Sequence, residues 1–431
     1  MNILVISNTP WSDNNSFGNS FSNIFDGIPN LKFANIYCRS GKPNNQFDMI
    51  CFQITEKSLI SNFFHRKKPS GRIVSQLCGK EVEEKEIVGF EQARKIRWQL
   101  MFWGRDIIWK IGRWKSDELK NFLDEFDPDI IFQPIYSKPY INDIVLFAKE
   151  YIGCPMIGYI SDDNYTLKQF NISPLYWVDR LWSRQKVKKV IEKCKLLYVI
   201  SQIQKEEYEK IFTPPCKVLT KCADFSNPAP IWRIPTDTIK MIYAGNIGSD
   251  RWKSLGILTE VIEKLRRNGY HLQMDIYTST PMTSKMQHIL KKDGTFIHKS
   301  VSYLEVRKIQ KKADILIHVE GLSLKSQLAV HQSFSTKLVD YFAMGKCIVA
   351  VGTEREASIK HLIDNNAAVV IGTKKEATYK IEKLLGAPEM ILEYGIRAYT
   401  CGKKHHERVI VQKMLLQDLQ IEKREINVNN E

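Results

Sequence analysis

Ser335, Thr336, Lys337 and Asp340 fall within six positions of one another in the segment HQSFSTKLVDYFAMGKCIVAVG, residues 331–352. The small polar turn Gln332-Ser333-Phe334-Ser335-Thr336 leads into an amphipathic pattern that predicts a helix from Lys337 to Met344. Gly345 then fits the left-handed position that ends a helix, and CIVAV reads as the next strand. The first turn of a helix leaves backbone N–H groups without intrahelical acceptors. Joined by the hydroxyls of Ser333, Ser335 and Thr336 and the ammonium of Lys337, they make a site for a diphosphate. Asp340 lies on the same helix face about one turn deeper, where a carboxylate can accept two hydrogen bonds from the cis-diol of a ribose. The same residues also read as a capped surface helix with its Lys and Asp in solvent.

A second constellation lies upstream in IYAGNIGSDRWKSLGILTEVIEKL, residues 242–265. Gly245 and Gly248 would let backbone approach a phosphate closely, and Arg251 or Lys253 would neutralise it. Turns use glycine everywhere, so the position of this loop ahead of residues 331–352 is what gives it meaning. Asp162 and Asp163 follow the apolar run PMIGYIS, at the carboxyl end of a strand, where open α/β sheets bind ligands. One could contact an acceptor hydroxyl and, in an inverting enzyme, deprotonate it, and either could equally cap a turn. His318 and Glu320 end the run ADILIHVE and border the same region, although a histidine there also reads as a buried core residue. His405, His406 and Glu407 have the residue types of a metal site, but adjacent helical side chains diverge by about 100°, and they are read as surface residues.

Short apolar runs position these residues. NILVIS, FANIYC, DMICFQI, DIIFQPI, PMIGYIS and LLYVIS alternate with helical patterns through the first half of the chain. IKMIYAG, LQMDIYT, TFIH, ADILIHV, CIVAV and AAVVIG repeat the alternation in the second half. The reading is an α/β protein of two Rossmann-like, doubly wound domains facing a cleft. Prolines at 214, 215, 228, 230 and 235 exclude continuous helix or central strand, which places the linker there. The expected units are 1–213, 214–400, and a helix and tail over 401–431 that packs back across a domain. After the first strand, a polar loop with Asn8, Asp13, Asn14, Gly18 and Asn19 reads as a simple turn.

Lysine plus arginine outnumber aspartate plus glutamate by 63 to 48, so the surface should attract an anion. Nothing resembling an RNA- or DNA-binding motif accompanies the charge, and nucleic acid is not expected as a partner. Nine cysteines without paired spacing read as reduced thiols, and no signal-peptide pattern opens the chain, so a cytoplasmic location is expected. Residues 94–115, RKIRWQLMFWGRDIIWKIGRWK, interleave four tryptophans with cations. This pattern fits either peripheral contact with an anionic membrane from the cytoplasmic side or a core-facing helix with basic flanks.

FSTKLVDYFAMGKCIVAVG resembles the donor-binding signature of glycosyltransferase family 4 and related GT-B enzymes, matching at Ser335, Thr336, Lys337, Tyr341, Ala343, Gly345 and Lys346. The resemblance covers the C-terminal half in motif and the N-terminal half in architecture alone. It implies a cytoplasmic glycosyltransferase that moves a hexose-type unit from a nucleoside diphosphate sugar to a glycan or lipid-linked sugar, as in bacterial surface-polysaccharide assembly. It implies retention of anomeric configuration, with leaving-group charge met by helix dipole and cations and no metal or resident cofactor. In that family two glutamates stand eight positions apart. The second falls on Asp340, as the ribose ligand, and the first on Gln332, which keeps hydrogen bonding and loses the charge. Asn246 stands where the family often has arginine. By the same resemblance, the polar loop after the first strand sits where GT-B enzymes bring backbone and polar groups to the acceptor or the phosphates. A sugar-nucleotide epimerase of the same fold, or a basic scaffold without catalysis, would share much of this pattern.

Overall fold

A computed structural model describes residues 1–74, 99–225, 230, 232–235 and 238–429. Two separate sheets organise them. The first contains β1 (Asn2–Ser7), β2 (Lys32–Tyr37), β3 (Met49–Ile54), β4 (Gly71–Val74), β5 (Ile130–Pro134), β6 (Met156–Ile160), β7 (Leu196–Val199) and β8 (Cys216–Val218). Their spatial order is β4-β3-β2-β1-β5-β6-β7-β8, parallel throughout except where β4 runs against β3. The second sheet is wholly parallel: β9 (Ile239–Ala244), β10 (Leu272–Thr278), β11 (Thr295–Lys299), β12 (Ile315–Val319), β13 (Cys347–Val351) and β14 (Val369–Ile371), in the order β11-β10-β9-β12-β13-β14. In both, the order reverses beside the first strand, the switch point at which doubly wound sheets open a crevice.

The central strands are buried on both faces, so they read as unbroken apolar runs such as Ile3-Leu4-Val5-Ile6 and Ile315-Leu316-Ile317. Helices start and stop where the sequence supplies caps. Asn15 accepts the Gly18 N–H at the head of helix Ser16–Phe25. Helix Lys337–Met344 ends on Gly345, at φ 61°. Gly395, on helix Glu389–His406, lets that helix lie against Gly345: a Cβ there would come within 2.6 Å of the Gly345 carbonyl oxygen.

The chain then turns at His406 and crosses back. Helix Arg408–Asn429 packs on the first domain, where Asp418 accepts hydrogen bonds from Tyr198 Oη at 2.6 Å and Lys217 Nζ at 2.5 Å. At the crossing the reading of His406 as a surface residue is corrected. It is buried, its Nδ1 lies 2.8 Å from Thr220 Oγ1, and its ring stacks on Phe334 and Phe342. His405, one position away, is exposed.

Two edge strands are absent from the sequence reading, and β8 falls inside the proline-rich stretch taken as linker. Within residues 94–115, positions 94–98 lie outside the described residues. The tryptophans at 109 and 114 do not face outward as interfacial aromatics would. Both are buried, Trp109 stacked on Tyr140 at 4.6 Å with its indole N–H on Glu56. No helix among the described residues is long and apolar enough to cross a membrane.

Candidate active site

The carboxyl ends of the two sheets meet. Ser201, just after β7, donates from Oγ to the Gln332 carbonyl at 2.7 Å, and Ser333 Oγ donates to Asp162 Oδ1 at 3.0 Å. These contacts place residues 331–337 on one wall of a cleft and the residues after β6 on the other.

On the C-terminal wall, two cations converge. Gly245, at the end of β9 with φ 153°, holds a backbone conformation that side chains rarely adopt, and a Cβ there would come within 2.0 Å of Lys337 Nζ and displace it. The space is taken by that ammonium, which donates to the Ala244 carbonyl at 3.1 Å above the Tyr243 ring. Lys337 as a whole is exposed, although its ammonium is held against backbone. Burial, and then the nearby Arg251 guanidinium, draw its pKa down to about 8.

Arg251 opens helix Arg251–Arg267 and pairs with Glu320 Oε2 at 2.8 Å. The loop before it is held open under strain: Ser249 and Asp250 are both left-handed, at φ 51° and 63°, a conformation that costs non-glycine residues roughly 1 kcal/mol or more each. Ser323 and Ser326 hold that turn through Asp250 Oδ2 and the Ser249 carbonyl. Asn246 shapes the same turn, its Oδ1 accepting the Gly248 N–H. Lys253 points elsewhere, paired with half-buried Asp250 and lying over Trp252.

Behind the cations, His318 is buried with no hydrogen-bond partner on Nε2, 3.6 Å from Glu320 Oε1. Burial, with Lys337 and Arg251 nearby, lowers its pKa to about 3, so it is neutral at physiological pH. Glu320 is itself pushed up by burial, against the pull of Arg251. Glu356, whose Oε2 accepts from the Thr353 N–H, is pushed up to about 7 by burial and leaves Oε1 unpartnered.

Thr336 takes the N-cap position of helix Lys337–Met344 without a side-chain cap hydrogen bond, and the Ser335 N–H is held by Ser358 Oγ. Asp340 lies about one turn in, as the spacing predicts, but it is not alone. Lys221, from the segment after β8, grips both its oxygens at 3.0 and 2.9 Å, and Tyr303 Oη lies 3.4 Å from Oδ1. No sequence signal pointed to Lys221, which is 119 residues from its partner in a stretch read as linker.

Gln332 departs furthest from the expected placement. It is 1% exposed, and both ends of its amide bond the first domain: Nε2 donates to Glu207 Oε2 at 2.6 Å, and Oε1 accepts from Gln204 Nε2. Glu207 also takes His331 and Lys168, and although burial pushes its carboxyl up, those three hydrogen bonds together hold it below the usual range. Gln332 is therefore an interdomain tie in this arrangement.

On the N-terminal wall the paired aspartates divide. Asp163 is enclosed: it accepts the Tyr165 and Thr166 N–H groups and Arg180 Nη2 at 3.0 Å, both side chains of that ion pair being buried. Asp162 faces the cleft, and burial raises its pKa against the hydrogen bond from Ser333. In the first loop, Asn8 accepts from Tyr140 Oη and Asp13 from Ser22 Oγ, while Gly18 gives the close approach of helix and loop that Ser12 requires. The sequence's single Asp-x-Asp triplet, Asp127-Pro128-Asp129, is at the far end of the sheet, where Asp129 Oδ2 accepts the Asn2 N–H. Among the described residues no His, Cys, Asp or Glu cluster is arranged to hold a metal.

No protein-family model matches the sequence, and no curated protein does. Solved structures do match. Sucrose-phosphate synthase from Thermosynechococcus elongatus superposes over 97% of this chain and 98% of its own, with a TM-score of 0.62 at 9% identity. HepE from Anabaena, solved in complex with UDP-glucose, matches over 97% and 99% of the two chains, with a TM-score of 0.59 at 9% identity. TarM of S. aureus covers 69% of this chain at 12% identity with a TM-score of 0.49, and the chain spans 57% of TarM's length. At such identities the likeness is one of fold, and over nearly the whole chain that fold is GT-B: two Rossmann-like domains facing one cleft.

Proposed function

We propose that this chain is a metal-independent glycosyltransferase that transfers a sugar from a nucleoside diphosphate sugar to a glycan or lipid-linked sugar acceptor in polysaccharide assembly. The observation that carries the reading is the convergence of Lys337 and Arg251 on the opening made by Gly245, with Asp340 about one turn beyond. Two cations face one buried carboxylate there, which leaves positive charge for a diphosphate to neutralise. The diphosphate would exchange the Ala244 carbonyl for its own oxygens on Lys337 and share Arg251 with Glu320. Backbone groups of Gly245, Asn246 and Gly248, with Ser333, Ser335 and Thr336, complete the donor cradle. The ribose would share Asp340 with Lys221.

Departure of the nucleoside diphosphate builds negative charge on the bridging oxygen, and fixed cations at that point lower the barrier without reorganising. Asp162 is the acceptor-side carboxylate with access to the cleft, and in an inverting enzyme its raised pKa would suit it as the proton acceptor. Asp163 supports it through the turn it caps, and Gln332 sets how close the walls come. HepE was captured with UDP-glucose, so UDP is the first nucleotide to test on this chain. UDP should stabilise the protein in a thermal-shift assay, by about 2.7 kcal/mol at 100 times its Kd. Release of UDP only when a saccharide acceptor is present supports transfer, whereas release or sugar conversion without one points to an epimerase of the same fold.

A further inference from the structure

Helix Pro174–Glu192, which follows the loop bearing Asp162 and Asp163, is turned inside out over its first half. The side chains it sends inward there are Arg180 and Ser183. Arg180 is committed to Asp163 and the Thr166 carbonyl, which shapes the acceptor-side loop. Its apolar residues consequently point out. Leu175, Val178, Leu181 and Trp182 recur at helical spacing along the exposed face, Val178 at 56% exposure, and Phe170 and Ile172 precede them, Ile172 at 89%. A contiguous stripe of large apolar side chains facing water marks an interaction surface.

The chemistry around the stripe identifies what covers it. Further along the helix the exposed face changes from apolar residues to Lys188 and Lys189. Across a small cavity, Trp182 and Lys186 face Asp106 and Lys110 of helix Gln99–Ile111, which exposes Ile107 and Ile111 beside them. Of the helix's five cations Arg180 is buried on Asp163 and Lys186 pairs with Asp143, so the charge on the exposed flank comes from Lys188, 3.6 Å from Glu192, and Lys189, on a chain of net charge +15. Exposed aliphatics with tryptophan at their edge and lysines on the flank are the composition of a helix lying in a headgroup region, apolar face down and cations on anionic lipid.

We propose that the face formed by residues 170–182, with Ile107 and Ile111, docks the protein on an anionic bilayer. This replaces the tryptophans at 109 and 114, which are buried, with a different set of residues. It also sets the acceptor wall of the cleft against the surface from which a lipid-linked sugar would be presented, a consequence that rests on the proposed function, whereas the docking itself does not.

The test is flotation of the full-length protein with phosphatidylglycerol-containing vesicles and with phosphatidylcholine vesicles alone, at low and high salt. The wild type should float with the anionic vesicles, less so as salt screens the lysines. Ile172→Glu/Val178→Glu should cut the bound fraction at least tenfold while leaving the thermal melting temperature unchanged. Should that variant misfold, Lys188→Glu/Lys189→Glu tests the same face and should weaken binding about fivefold. Failure of the wild type to float, equal flotation of folded variants, or a dimer in gel filtration that Ile172→Glu/Val178→Glu splits would overturn the proposal, the last by giving the face to a second copy of the chain. Flotation by a chain that binds no nucleotide sugar would refute the donor site and leave this surface standing.

Discussion

The two walls of the cleft treat their charged groups in opposite ways. On the N-terminal wall Asp163 is fully answered by its own chain, with two backbone N–H groups and a buried arginine. On the C-terminal wall Lys337 has a single carbonyl and Arg251 shares one buried carboxylate. A complete set of partners makes a group part of the scaffold, while an incomplete set of like charges held by a strained loop and a glycine gap makes a binding site. The distinction separates even neighbours, since Asp162 keeps only Ser333 where Asp163 is enclosed.

If that difference is real, substitutions on the two walls should fail in different ways. Asp163→Ala leaves Arg180 buried without its anion and should lower unfolding free energy by about 3–5 kcal/mol in urea titrations; a loss under about 1 kcal/mol would show the N-terminal wall is not scaffold. Lys337→Ala should not lower stability, since holding that ammonium costs the free protein at neutral pH, and it should weaken UDP binding by about 1.5–3 kcal/mol in calorimetry. Asp340→Ala should cost UDP about 1 kcal/mol and leave inorganic pyrophosphate unaffected, and equal loss for both ligands would remove the ribose role.

The smallest effect is one of pH. With Lys337 lowered to about 8, UDP affinity should be flat near neutrality and fall from pH 8 upward as the ammonium loses its proton. The free protein should behave the other way. A lysine whose folded pKa lies below its unfolded value binds more protons when unfolded, so this group's contribution makes stability rise with pH between about 8 and 10.5. Opposite slopes for affinity and stability place the proton on Lys337, and Lys337→Met should abolish both.

Much of the fold could be read from the sequence because strands buried on both faces are unbroken apolar runs, as in β13 and residues 315–317 of β12, while β10 shows itself by alternation instead. The edge strands β4 and β8 are interrupted by Arg72 and Lys217, where β14, as short as β8, is wholly apolar, and β8 lies among prolines. Lys337 and Asp340 were legible because a helix fixes the relation of residues three apart. Lys221 on Asp340 and Glu207 on Gln332 were not, because tertiary folding joins residues 119 and 125 positions apart. His406 shows a narrower failure: the 100° between adjacent helical residues says that two side chains diverge, and only packing decides which one the core takes.

Most direct is the structure of the protein crystallised with UDP. The diphosphate oxygens should lie within hydrogen-bond distance of Lys337 Nζ and the Arg251 guanidinium, with the ribose hydroxyls on Asp340. UDP bound elsewhere in the cleft, with Lys337 still on the Ala244 carbonyl and Asp340 still held by Lys221 and Tyr303, would contradict it.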